Sequence, residues 1–263
     1  MHARVAGDAV SAKHIVLIHW TPLSSRMFEP LAAELAGRGW FVFAPDLLGY
    51  GRSDRRLDSW SIEQWADEVT AAATSAGLRT PVVLGGHVGA LVALECALRH
   101  QDCTRAAILD GLPLPTPELQ AAFSALSRAS RPAPTADGAH ERLAWQQAVG
   151  LWRHYVPEFE LDARSIEQIW PVMIDYLSSN FVTSGALSAA HPTAERLRAL
   201  KLPTVLITAE RDSQSATFDA ARAAAPRAVA HKFAGSHPIH DVARAAEYAD
   251  AVERLLAATG LAL

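Results

Sequence analysis

Cysteine, methionine and lysine are scarce in this 263-residue chain, with two cysteines, three methionines, and lysine only at Lys13, Lys201 and Lys232. Two cysteines are too few for a disulfide framework, and the spacing of Cys96 and Cys103 matches no metal or redox motif. Both are expected as reduced packing residues. A compact ligand pattern such as His-x-x-x-His is missing too, so neither a metal nor another cofactor is expected. Basic runs are absent and the formal net charge is -4, so nothing tracks a phosphate backbone and a nucleic-acid partner is excluded. The longest stretch of low charge, residues 81–98, carries Pro81, three glycines and His87 and divides into a strand and a helix, so no membrane span is expected. MHARVAGDAV has no apolar core behind a basic start, which makes a cytoplasmic location the expectation. There is no internal repeat and no long linker.

What is present is apolar: half the residues (50%), enough to bury a sizeable core. β-rich runs occur at HIVLIH (14–19), WFVFAPD (40–46), VVLG (82–85), RAAILD (105–110), TVLITA (204–209) and VAHKF (229–233). Between them lie stretches of helical periodicity, as in SRMFEPLAAELAGRG, Ser61 to Ala76, Ala90 to about His100, SATFDAARAAA, and about Asp241 to Ala258. Strands alternating with helices predict an α/β fold, a mostly parallel sheet with helices on both faces. The interval 112–191 breaks the rhythm with Pro113, Pro115 and Pro117, a Pro/Ala/Gly-rich patch and several helical stretches. It reads as a helical cap inserted into a core made of 1–111 and 192–263. Its Trp145, Trp152, Trp170 and Tyr176, with Tyr155 and Phe181, suit the closing of an apolar cavity, though helix packing accounts for any single ring as well.

Open parallel sheets bind ligands beyond the carboxyl ends of their strands. Four such places hold polar residues: HWTPLSS after the first run, GGHVG after the third, AERDS after the strand at 204, and AGSHPIH after Phe233. Together these motifs make nearly the whole chain resemble the α/β-hydrolase superfamily. The resemblance assigns HWTPLSS to the oxyanion loop, DLLGYGRSD to the loop after the next strand, GGHVGA to the nucleophile elbow, Asp212 to the acid and His237 to the base, in the family's chain order. A subset of the superfamily that joins a His-x-Thr-Pro loop to a histidine at the elbow is similar in both respects. The implied oxyanion donors are the backbone amides of Trp20 and Val88.

Two departures stand out. Only thirteen residues precede the first clear strand, so the sheet is expected to lack one edge strand. The elbow pattern Gly-x-Ser-x-Gly reads Gly85-Gly86-His87-Val88-Gly89. Gly85 and Gly89 keep the turn sterically open, so His87 is expected to project toward the pocket, with a satisfied core histidine as the plain alternative. Asp212 also suits a helix N-cap, Asp110 is the alternative acid, and His19, His191 and His240 read as structural.

A histidine at that place admits three accounts. It attacks a carbonyl and forms an acyl-imidazole, although its far nitrogen reaches about 2 Å beyond a serine oxygen, and such misplacement is costly. It shares acid-base work with His237 and Asp212, the two imidazoles titrating apart. Or the fold binds a ligand without turnover. The expected partner is a small, apolar carbonyl compound such as an ester, a lactone or one with an activated carbon-carbon bond.

Overall fold

The computed structural model describes residues 1–262 except 56–59, 118–119, 122–134, 156–159, 178, 180–186 and 237–243. Seven strands form one sheet: β1 (Ala3–Ala6), β2 (Lys13–Ile18), β3 (Trp40–Pro45), β4 (Val82–Gly86), β5 (Ala106–Asp110), β6 (Thr204–Ala209) and β7 (Val229–Phe233), in the order β1-β3-β2-β4-β5-β6-β7. Every pairing is parallel except β1 with β3. The expected loss of an edge strand is therefore corrected: Ala3–Ala6 pairs antiparallel with Ala6↔Val42 through Ala3↔Pro45. A strand of four residues, only part-buried, has too little periodic pattern to be legible in sequence.

Along β2 the side chains alternate between two cores. Ile15 and Leu17 join Leu31, Leu35, Val252 and Leu256 on one face, while Val16 and Ile18 join Val69, Leu91, Leu109 and Leu206 on the other. The first face is covered by α1 (Glu29–Gly37) and the C-terminal helix, the second by α2 (Ile62–Ser75) and α3 (Val88–Arg99). A strand covered on both faces has no polar side, which is why the β-rich runs read as nearly continuous apolar stretches. α2 begins at a capping box, with the Ser61 hydroxyl on Gln64 N–H and the Gln64 side chain on Ser61 N–H.

Between β5 and β6 lie α4 (Ala139–Tyr155), α5 (Ala163–Leu177) and α6 (Thr193–Ala199), and after β6 come α7 (Phe218–Ala224) and α8 (Ala245–Ala258). Two expected helices differ at their starts. A 3-10 turn at Ser213–Thr217 precedes α7, because Asp212 caps the Gln214 N–H. The C-terminal helix is seen from Ala245, and 241–243 lie outside the described residues. No described helix is long and apolar enough to cross a membrane.

One buried charge ties α3 to the chain returning to the sheet. Glu95, fully buried, accepts from Arg196 Nε at 2.6 Å and also meets Arg196 Nη2, while His191 Nε2 lies 3.2 Å from it. His191 is thus structural, as expected.

Candidate active site

Parallel register brings the carboxyl ends of β2, β4, β5 and β6 side by side, with Ile18 opposite Gly85, Gly86 opposite Asp110 and Asp110 opposite Ile207. The residues that follow these ends therefore meet. His87 occupies the single-residue turn between β4 and α3 with φ 49° and ψ -114°, a left-handed conformation that costs a non-glycine residue roughly 1–3 kcal/mol. The turn persists because its surroundings leave no alternative: His87 N–H donates to Asp110 O at 2.8 Å, and its carbonyl accepts from Ala90 N–H at 2.9 Å. Gly85 and Gly89 are obligatory here, since a Cβ on Gly85 would fall 2.0 Å from Gly89 O and one on Gly89 would fall 2.3 Å from Ile18 O.

The imidazole of His87 points across the sheet end to Asp212. Its Nε2 lies 2.8 Å from Asp212 Oδ2, with side-chain exposures of 12% and 1%. Burial pushes the Asp212 carboxyl up, but the neighbouring His87, its hydrogen bond, and the bonds from Gln214 N–H and the Ser213 hydroxyl outweigh it and hold it below the usual carboxylate range. An ionised Asp212 only accepts, so Nε2 carries the hydrogen and Nδ1 is the proton-accepting nitrogen of neutral His87. Asp212 is also the N-cap that the sequence allowed, its other oxygen accepting from Gln214 N–H at 2.8 Å. The cap bond and the pairing with His87 use different oxygens of the one carboxylate.

The other expected residues fall as follows. Asp110 accepts from the Tyr248 hydroxyl at 2.8 Å. Trp20 stacks flat on His87, ring centroids 4.4 Å apart and planes 1° apart. Val88 is the first residue of α3, where N–H groups have no partner within the helix and the helix dipole favours negative charge. His19 is fully buried, which depresses its pKa, and as the neutral imidazole it donates from Nδ1 to Trp20 O at 2.7 Å and accepts Leu47 N–H on Nε2 at 2.9 Å. Trp145 is partly buried against the apolar cluster that contains Trp20, Leu23, Ala148 and Met173. Trp152 and Tyr176 lie on α4 and α5, but their side chains are outside the described residues, as are His237, His240 and Phe181. Trp170 is 55% exposed and shares an exposed stripe with Ile166 and Ile174, one turn apart on either side.

Three contributors were missed in the sequence. Gly111, at φ 55°, passes so close that a Cβ would lie 2.5 Å from His87 Cδ2 and 2.8 Å from Asp212 Oδ2. Gly86 gives the Trp20 indole its space. Asp46 gathers Ser25 N–H, the Ser25 hydroxyl and Arg52 N–H, which braces the loops after β2 and β3 against each other. The doubled glycine before His87 was the available signal, since the elbow pattern itself needs only Gly85. Gly111→Ala should destabilise the fold by about 1–3 kcal/mol through strain and overpacking and displace His87 from Asp212, seen as a lower melting temperature and an altered His87 ring signal.

Among the described residues no group of three histidine, cysteine, aspartate or glutamate side chains is placed to hold a metal. A family model described as the alpha/beta hydrolase family matches residues 15–251. The chain belongs to this family. Among curated relatives, the AB hydrolase superfamily protein YisY of Bacillus subtilis is 32% identical over 94 residues, which is 36% of this chain and 35% of that protein. The chain thus matches about a third of the length of such relatives. Family structures superpose over nearly the whole chain. The esterase EaEST from Exiguobacterium antarcticum gives a TM-score of 0.79 at 16% identity, covering 97% of this chain and 94% of that one. The enol-lactonase from Burkholderia xenovorans LB400 gives 0.72 at 19%, covering 97% and 96%. At such identities the likeness is one of fold.

Proposed function

We propose that this chain is a hydrolase-fold enzyme acting on a small, apolar carbonyl compound, an ester, a lactone or an activated carbon-carbon bond, by acid-base chemistry at a histidine elbow. The observation that carries the reading is the 2.8 Å pairing of His87 Nε2 with the buried Asp212 carboxylate. A base needs an orienting partner that also stabilises the imidazolium formed when it takes a proton, and Asp212 supplies both. Asp212 Oδ2 accepts from His87, and His237, which lies outside the described residues, is assigned on sequence position as the second imidazole and a further partner of Asp212.

In hydrolysis, one imidazole takes a proton from water as the water oxygen bonds the carbonyl carbon. The other gives a proton to the leaving oxygen as the carbon-oxygen bond breaks. The amides of Val88 and Trp20 are assigned to the oxyanion, one such donor being worth on the order of 3 kcal/mol. The segment 112–191 is assigned to the cap over a core of 1–111 and 192–263. In support, Ala144, Ala148, Val149 and Met173 of α4 and α5 pack on Trp20 and Leu23.

The test is a panel of esters, lactones and β-diketones assayed with wild type, His87→Ala, His87→Ser and His237→Ala, with intermediates trapped for intact mass. Turnover of one class by wild type, lost in His87→Ala and with no adduct, is the expected result. A stable acyl adduct on His87 replaces acid-base catalysis with nucleophilic attack. Ligand binding without any turnover, unchanged in His237→Ala, makes the protein a binding module.

A further inference from the structure

The His87 ring is held on more than one side, and the two described contacts do different work. The bond from Nε2 to Asp212 decides which ring edge faces the carboxylate, but a single hydrogen bond tolerates broad rotation about χ2, a torsion with no sharp preference in histidine. The plane of the ring is decided elsewhere. The Trp20 indole lies parallel to it within 1°, at a centroid distance of 4.4 Å.

Trp20 is itself immobilised from three directions. Its carbonyl is bound by His19 Nδ1 at 2.7 Å. Its indole nitrogen occupies the notch left by Gly86, where a Cβ would come within 2.0 Å. The indole belongs to an apolar cluster with Leu23, Ala144, Ala148, Val149 and Met173, and Trp20 as a whole is 5% exposed. A ring so wedged cannot tilt without displacing either the backbone of β4 or the helices α4 and α5.

We propose that Trp20 is a positioning residue for His87: its indole sets the plane of the imidazole in which Nε2 meets Asp212, and the packing of α4 and α5 on the indole passes to His87. Its role in turnover rests on the proposed work of His87, whereas the ring placement does not.

Trp20→Leu keeps apolar bulk but loses the flat face, Trp20→Phe keeps a flat face, and Gly86→Ala keeps the indole but pushes it from its notch. The readout is the imidazole Nε2–H proton of His87 by NMR, assigned by its loss in Asp212→Asn, on variants whose cooperative melting shows them folded. The expected result is a protected proton in wild type and Trp20→Phe, and its loss in Trp20→Leu and Gly86→Ala. On any compound of the panel that is turned over, kcat should fall about a hundredfold in Trp20→Leu, as for a misplacement near 1 Å, with KM moved far less and with rescue by Trp20→Phe. An equally protected proton in Trp20→Leu and Gly86→Ala overturns the inference and leaves the proposed function standing. Turnover surviving in His87→Ala removes the proposed function, and the NMR result still decides the role of Trp20.

Discussion

Asp212→Asn is expected to lower kcat on the substrate found by about 10⁴-fold, the loss seen when an orienting carboxylate becomes an amide. The substitution is nearly isosteric, and an amide oxygen can still accept from Gln214 N–H, so the start of the 3-10 turn at Ser213 is retained. What goes is the charge beside His87 Nε2. An amide placed there can present its NH2 to the ring, in which case Nε2 accepts, Nδ1 carries the hydrogen, and the proton-accepting atom is lost. The measurement is kcat with thermal melting as the control. A loss of under tenfold in a fully folded variant rejects Asp212 as the partner of the base.

Glu95→Ala, by contrast, should leave the site intact and cost stability. It strands His191, with 2% side-chain exposure, and Arg196 without their carboxylate, and removing one partner from a buried pair costs about 3–5 kcal/mol. For a chain of this size that lowers the melting temperature by roughly 10 °C. Removing Asp67 from its half-open pairing with Arg99, at 41% and 39% exposure, is the internal comparison and should cost about 0–1 kcal/mol. Equal melting temperatures for the two variants would defeat the argument. The pH dependence has a definite sign. Burial raises the Glu95 carboxyl, but its bonds to His191 and Arg196 and their charges prevail and lower it in the folded state. Its contribution is therefore complete above the unfolded value of about 4.3 and is lost as pH falls through the folded one. Wild type should lose stability over that acid range more steeply than Glu95→Gln.

Much of this was legible in sequence, for reasons that can be named. β6 coincides with TVLITA and β3 starts at Trp40 as expected, because a strand buried on both faces writes a short apolar run between polar or glycine-rich turns, and β7 coincides with VAHKF although it is a part-buried edge strand. The turn at His87 was readable because Gly85 and Gly89 flank it at the spacing that steric contact with Gly89 O and Ile18 O demands. β1 was not, being four residues long and only partly buried. The exposure of Trp170 was not legible either, because an aromatic at helical spacing does not say which face of α5 meets the core.

The amino-acid sequence alone determined the alternation of strands and helices, the helical interruption between β5 and β6, and the strand ends that carry polar residues, because periodicity and turn chemistry are local properties of the chain. Which of those residues touch was decided only by the tertiary structure. His87 and Asp212 are 125 positions apart, and the imidazole that receives the carboxylate depends on the register of β4, β5 and β6. The stacking of Trp20 on His87 depends likewise on the register of β2 with β4 and on the missing side chain at Gly86, while the missing side chain at Gly111 leaves room for His87 beside Asp212. Contacts of that kind are set by how close two backbones come, and no local pattern records that distance.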